Sequence, residues 1–124
     1  MALRILIVDD NELTLTLVSK ILELDGYDVD VAINAADAFK MIQSRKPDLA
    51  VLDVMMPDMN GYELCKRLRM EPFSLKIPIL IMTAEGRDED TDQALACGAN
   101  DLLTKPFNND ELRKHIRNLI PEQS

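Results

Sequence analysis

The 124-residue chain lacks any run approaching the roughly 18–20 apolar residues of a membrane-spanning helix. Its N-terminal apolar stretch, Ile5 to Val8, is too short for a signal peptide and leads straight into acids. Positive charge is sparse: 14 Lys and Arg stand against 22 Asp and Glu, for a net charge of −8. Binding a phosphate backbone needs clustered Lys and Arg, and the richest cluster, Arg113-Lys114-His115 with Arg117, is short, so direct nucleic-acid binding is excluded. Cysteine is limited to Cys65 and Cys97, with no C-x-x-C and no histidine at metal-ligand spacing. Both fall among apolar residues at helical positions and read as buried, reduced thiols, which places the protein in the cytoplasm. The lone His115 carries no neighbouring motif and reads as a surface residue.

What is present fits one globular domain. A hydrophobic fraction of 47% and a charged fraction of 29% are ordinary for a soluble fold. The length matches a single domain over 1–124, with an ordered core of about 3–120 and a short tail from Pro121.

Hydrophobic periodicity then gives the elements. Arg4 to Val8 is a β-branched-rich strand ended by Asp9-Asp10-Asn11, with either aspartate a candidate cap for the helix that follows. Leu13, Leu17, Ile21 and Leu24 have helical spacing, and Gly26 closes that helix. Tyr27 to Ile33 alternates as an edge strand does. Asn34 with Asp37 looks like a helix cap, followed by an apolar face of Ala35, Ala38, Phe39 and Ile42. Leu49 to Asp53 is an apolar run of the kind buried on both sheet faces. Asn60-Gly61 invites a hairpin, but Leu64, Cys65 and Leu68 continue at helical spacing, and Pro72 stops that helix. Ile77 to Met82 is a fourth strand containing Pro78, and residues 87–97 a fourth helix. Its acidic run, Asp88 to Asp92, reads as a solvated face. Asp101 to Thr104 is a fifth strand, and Asn108 with Glu111 opens a last helix lined by Leu112, Ile116, Leu119 and Ile120. The methionines read mostly as core filler, apart from Met55, Met56 and Met59 in or near the loop after Asp53, and Asp58 in that loop reads as solvated. Five strand–helix repeats with short connections predict a doubly wound α/β sandwich with a parallel sheet.

Such sheets place ligands at the carboxyl ends of their strands. Asp9, Asp10, Asp53, Thr83 and Lys105 all fall at strand ends and so share one edge. Three carboxylates there repel one another, which a hard divalent cation relieves. A hydroxyl and an ammonium opposite them suit phosphoryl oxygens, and a carboxylate can act as nucleophile. Each residue alone reads as an ordinary cap, turn residue or solvated charge; the joint spacing points to phosphoryl transfer.

The set Asp9-Asp10, Leu52 to Pro57 with Gly61, Met82-Thr83-Ala84, Gly98 to Asp101 and Lys105-Pro106-Phe107 resembles the receiver domain of two-component response regulators over essentially the whole chain. The resemblance implies a flavodoxin-like (βα)5 fold of strand order 2-1-3-4-5. It implies Asp53 as phosphoacceptor, and Mg2+ (Mn2+ as an alternative) held by Asp10, by Asp9 largely through water, by Asp53 and by the Met55 carbonyl. Thr83 and Lys105 would bind the phosphoryl group, and the Lys105-Pro106 peptide would be cis. The donor would be a sensor histidine kinase or histidine phosphotransfer protein docking beside α-helix one. The output would be a downstream effector protein or fused domain, or a dimer formed on phosphorylation, reached through helix four, strand five and helix five. The chain would be a signalling phosphoacceptor, not an enzyme.

One departure stands at Leu102, where the family often carries the Tyr or Phe of a Thr/aromatic switch. Met55 and Glu85 occupy the positions that tune loss of the phosphoryl group, and the apolar Met55 side chain predicts slow self-dephosphorylation. Two alternatives remain. One is a receiver cut from a longer regulator with a C-terminal DNA-binding or cyclic-nucleotide-synthesising effector. The other is a small Mg2+-dependent phosphatase with an Asp nucleophile, which would want an acid where Met55 stands.

Overall fold

The computed structural model describes residues 2–84 and 88–120. Strands β1 (Arg4–Val8), β2 (Asp28–Ala32), β3 (Leu49–Asp53), β4 (Ile79–Thr83) and β5 (Asp101–Thr104) alternate with helices α1 (Glu12–Leu24), α2 (Ala35–Ser44), α3 (Gly61–Arg69), α4 (Asp88–Cys97) and α5 (Asn109–Leu119). Every strand pairing is parallel, in the order β2-β1-β3-β4-β5. This is the flavodoxin-like sandwich that the strand–helix alternation and the resemblance predict.

The apolar runs of β3 and β4 are buried along their whole length, as central strands covered on both faces must be. Alternation along the strands divides the core in two. Ile5, Ile7, Val51, Leu80 and Met82 pack with α1 and α5, whereas Leu6, Val8, Leu52, Ile79 and Ile81 pack with α2, α3 and α4. β2 lies at the edge as its mixed pattern predicts. Asn11, Asn34, Asn60 and Asn108 cap α1, α2, α3 and α5, the last within a full capping box.

Several expectations are corrected. The Leu13, Leu17, Leu24 stripe of α1 faces solvent at 67%, 54% and 81% exposure, and Leu15, Val18 and Leu22 enter the core instead. Both sets have helical spacing, so the choice between them comes from how α1 docks on the sheet. The cap of α1 is Asn11, whose side chain accepts from Thr14 N–H; neither Asp9 nor Asp10 fills that role. β4 starts at Ile79, not Ile77, because Pro78 has no N–H to offer; its carbonyl still receives the Ala50 N–H at 3.0 Å. Among the described methionines only Met82 is fully buried; Met55 and Met70 are largely exposed, and the remainder are half-buried. Position 87, the expected start of α4, the tail from Pro121 and the Glu85 position lie outside the described residues. Among those described, no helix is long and apolar enough to cross a membrane.

Candidate functional site

Parallel strands bring their carboxyl ends to one edge, and five predicted residues meet there. Asp9 follows β1, where its N–H pairs with the Ala32 carbonyl at 3.1 Å and its Oδ1 accepts from Asn11 N–H at 2.9 Å. Asp53 ends β3 and Thr83 ends β4. Lys105 leaves β5 with its N–H on the Thr83 carbonyl at 2.7 Å, and its bond to Pro106 is cis. Asp9, Asp53 and Thr83 are buried; Asp10 is exposed at the rim.

The distances are short. Asp9, Asp10 and Asp53 each offer a carboxylate oxygen, all within 4.8 Å of one another. Lys105 Nζ donates to Asp9 Oδ2 at 2.9 Å and to Asp53 Oδ1 at 3.1 Å. Burial lifts the Asp53 carboxyl to about 6; Asp9 pushes the same way, Lys105 pulls it back, and Asp10 adds a smaller upward push. Burial acts to lower the Lys105 ammonium, but the bonds and charges of Asp9 and Asp53 outweigh it and hold the group above its usual value. One ammonium among three carboxylates leaves negative charge uncompensated. That donor set fits a hard divalent cation bound through oxygen.

Gly61 lets the loop after Asp53 close tightly. A Cβ at this position would lie 2.4 Å from the Asp53 carbonyl oxygen, and the Gly61 N–H bonds the Val54 carbonyl at 3.0 Å. The Met55 side chain stands 72% exposed beside the site. Leu102 on β5 is half-buried against the core on the α2–α4 side.

The structure also uses residues that local patterns missed. Asp58, expected to be solvated, accepts from the N–H groups of Ala35 and Ala36 at 3.0 Å each, tying the loop to the start of α2. These two bonds hold its carboxyl below the ordinary range. The acidic run of α4 is not uniformly solvated, since Asp90 is buried and accepts from the Tyr62 hydroxyl at 3.0 Å. Burial first, then Asp90, pushes the Tyr62 phenol up to about 12. His115, expected at the surface, is half-buried and pairs with Asp101 at 2.5 Å. Cys65 and Cys97 are free and buried as expected, yet they meet across the α3–α4 seam, with Cys65 Sγ donating to the Cys97 carbonyl at 3.2 Å. Arg69 ties the end of α3 to two later loops through the carbonyls of Ile77 (2.7 Å) and Gly98 (2.9 Å) and the Asn100 side chain (2.9 Å). A local signal existed for Asn11, which stands at the cap position. None existed for Asp58, Asp90 or Arg69, whose bonds to those partners span 8 to 31 residues with no shared pattern.

Comparisons with known proteins identify the family. The family model of the response regulator receiver domain matches residues 5–117. The alkaline phosphatase synthesis transcriptional regulatory protein PhoP of Bacillus subtilis is 42% identical over 117 residues, which cover 94% of this chain and 48% of that protein. The chain thus spans about half the length of the curated relatives it matches. Among solved structures, the Vibrio cholerae chemotaxis protein CheY4 superposes with a TM-score of 0.92 at 33% identity, covering 97% of this chain and 100% of the other. The receiver domain of a Pseudomonas aeruginosa sensor histidine kinase, solved with magnesium coordinated in its active-site cleft, superposes at 0.88 with 27% identity, covering 96% and 98%.

Proposed function

The chain belongs to the response regulator receiver domain family, and on that premise we propose that Asp53 accepts a phosphoryl group from a phosphohistidine of a sensor histidine kinase or histidine phosphotransfer protein. The observation that supports this is the setting of Asp53: a buried carboxylate at a strand end, in contact with Lys105 and crowded by Asp9 and Asp10. A carboxyl lifted to about 6 is more basic than a solvated one, yet it is mostly ionised at pH 7 and so available as a nucleophile. Asp53 attacks phosphorus, the donor's P–N bond breaks, and the imidazole leaves with its nitrogen lone pair. Lys105 neutralises phosphoryl oxygens, and Thr83 donates its hydroxyl proton to one of them. Asp9, Asp10, Asp53 and the Met55 carbonyl are the residues that would hold Mg2+, which when bound supplies charge neutralisation for the phosphoryl oxygens. Mn2+ suits the same oxygen donors.

The solvent-facing Leu17 of α1 lines a cleft of about 520 Å³ together with Val18, Ile21, Lys105, Pro106 and Phe107. This apolar surface beside the acceptor suits a helical donor. The face of α4, β5 and α5 carries the output, to a separate effector, a fused domain or a second copy. Matched relatives are named as transcriptional regulators and extend to about twice this length. That favours a second reading, in which residues 1–124 form one receiver module whose output is a C-terminal DNA-binding effector. The domain itself is a phosphoacceptor without catalytic turnover.

Treatment with acetyl phosphate and Mg2+ tests the assignment. Wild type is expected to form a hydroxylamine-labile adduct that needs the metal and is absent in Asp53→Asn. An adduct that persists in Asp53→Asn, or catalytic turnover of a phosphoester, would overturn it. Met55 has no polar group to orient an attacking water, so the adduct is expected to be long-lived and to shorten in Met55→Asn; an unchanged lifetime counts against that role.

A further inference from the structure

The N–H groups that open a helix have no carbonyl inside it to bond, and they take partners from outside. In α2 these include Ala35, Ala36 and Asp37. Asn34 Oδ1 takes the Asp37 N–H at 2.7 Å. The other two go to one carboxylate: Ala35 N–H donates to Asp58 Oδ1 and Ala36 N–H to Asp58 Oδ2, each at 3.0 Å. Hydrogen bonds to an ionised group are roughly twice as strong as neutral ones, and the positive end of the α2 dipole favours the negative charge.

Asp58 belongs to the loop between β3 and α3, which also carries the Met55 carbonyl. The loop is held at its ends, where Val54 N–H bonds the Met82 carbonyl and Gly61 N–H bonds the Val54 carbonyl, both at 3.0 Å. Between those ends, Met56 and Met59 rest half-buried on the core. Among the described residues, the Asp58 carboxylate makes the only hydrogen bonds from residues 55–59 to another element. One side chain thus fastens the middle of the loop to a helix whose Ala35, Ala38 and Ile42 are buried in the core.

A backbone carbonyl binds a cation well only where the chain already holds it in place, because ordering a loose loop on binding costs conformational entropy. We propose that Asp58 is a positioning residue for the cation site: its clamp on α2 fixes the β3–α3 loop and so presents the Met55 carbonyl to Mg2+. The inference rests on the reading of Asp9, Asp10, Asp53 and the Met55 carbonyl as the residues that hold the metal. The coupling is reciprocal, so a bound cation tightens the clamp by the same factor by which the clamp tightens the cation.

The test titrates Mg2+ into wild type, Asp58→Ala and Asp58→Asn by calorimetry, at low salt and at roughly 0.5 M NaCl, where exposed charges are screened. Asp58→Ala is expected to weaken Mg2+ binding roughly tenfold, the scale seen for residues that orient metal ligands. Asp58→Asn removes the same charge but keeps an oxygen able to accept one of the two N–H groups, so it should lose only about threefold. Both losses should persist in salt. In wild type, saturating Mg2+ should slow hydrogen exchange of the Ala35 and Ala36 amides, followed by NMR, by the same roughly tenfold factor. That measurement needs no variant, so it decides the question even where Asp58→Ala does not fold. Equal weakening in both variants that disappears in salt marks an effect of charge alone and overturns the clamp. Wild-type affinity in Asp58→Ala, the result of a role confined to capping α2, overturns it too, as does exchange at Ala35 and Ala36 that ignores Mg2+. Wild type that binds no Mg2+ overturns the clamp together with the reading of the metal site.

Discussion

The acids of α4 are neighbours in sequence, Asp88, Glu89, Asp90 and Asp92, whereas those of the sheet edge come from positions 9, 10 and 53. On a helix, successive side chains fan around the axis, and three of the four α4 acids point into water where their repulsion is screened. At the sheet edge, parallel strands aim their ends at one place, and two of the three acids are buried within 4.8 Å of each other and of the third. The denser cluster in sequence is therefore the more relaxed in space. The α4 run also suits the positive end of its helix dipole, a relief that the sheet edge lacks. Electrostatic strain collects where the fold gathers charges, and here it collects around Asp53.

Removing Lys105, the cation of the edge among the described residues, should strain it most. Lys105→Met leaves Asp9 and Asp53 buried without their partner, and urea unfolding of the metal-free protein is expected to show a loss of about 3 kcal/mol. Millimolar Mg2+ should recover much of that loss.

The pH response should separate the two clusters next. Asp53 keeps its proton up to about pH 6 in the native state but only to 3.8 when unfolded. Between those values the native state binds more protons, so stability falls as pH rises through the window. The loss, complete above pH 6, is about 2–3 kcal/mol in the absence of metal. Unfolding curves from pH 4 to 7 should be flatter for Asp53→Asn, and flatter for wild type with Mg2+. An equal slope in Asp53→Asn would count against the raised carboxyl.

Gly61→Ala tests the backbone beneath the edge. Its Cβ would sit 2.4 Å from the Asp53 carbonyl oxygen. Overpacking of this kind costs about 2 kcal/mol, and the displaced loop should weaken Mg2+ binding measured by titration. The α4 cluster should respond least and unevenly. Asp90→Ala, which leaves the buried Tyr62 hydroxyl without its acceptor, is expected to cost about 1–2 kcal/mol in thermal unfolding. Asp92→Asn, on an exposed position, should stay within about 0.5 kcal/mol. Equal effects for these two would break the contrast between the buried and the solvated acid.

Sequence alone determined much of this protein. The element order, the edge position of β2, the caps at Asn34 and Asn108, and the gathering of Asp9, Asp10, Asp53, Thr83 and Lys105 follow from local pattern plus the rule that parallel strands share a carboxyl edge. Burial period, cap chemistry and turn residues act within a few positions, so they leave a readable mark. Tertiary structure decided which of two apolar stripes α1 buries, since Val18 and Leu22 have the same spacing as Leu13 and Leu17 and only docking on the sheet chooses between them. It decided that Asp58 caps a helix 22 residues back, that Asp90 alone of its run is buried against Tyr62, and that Arg69 ties two later loops to α3. Those contacts join elements through space, where the geometry is set by how helices pack on the sheet. A hydrogen bond between distant residues imposes no period on the chain and becomes visible only once the fold brings its two ends together.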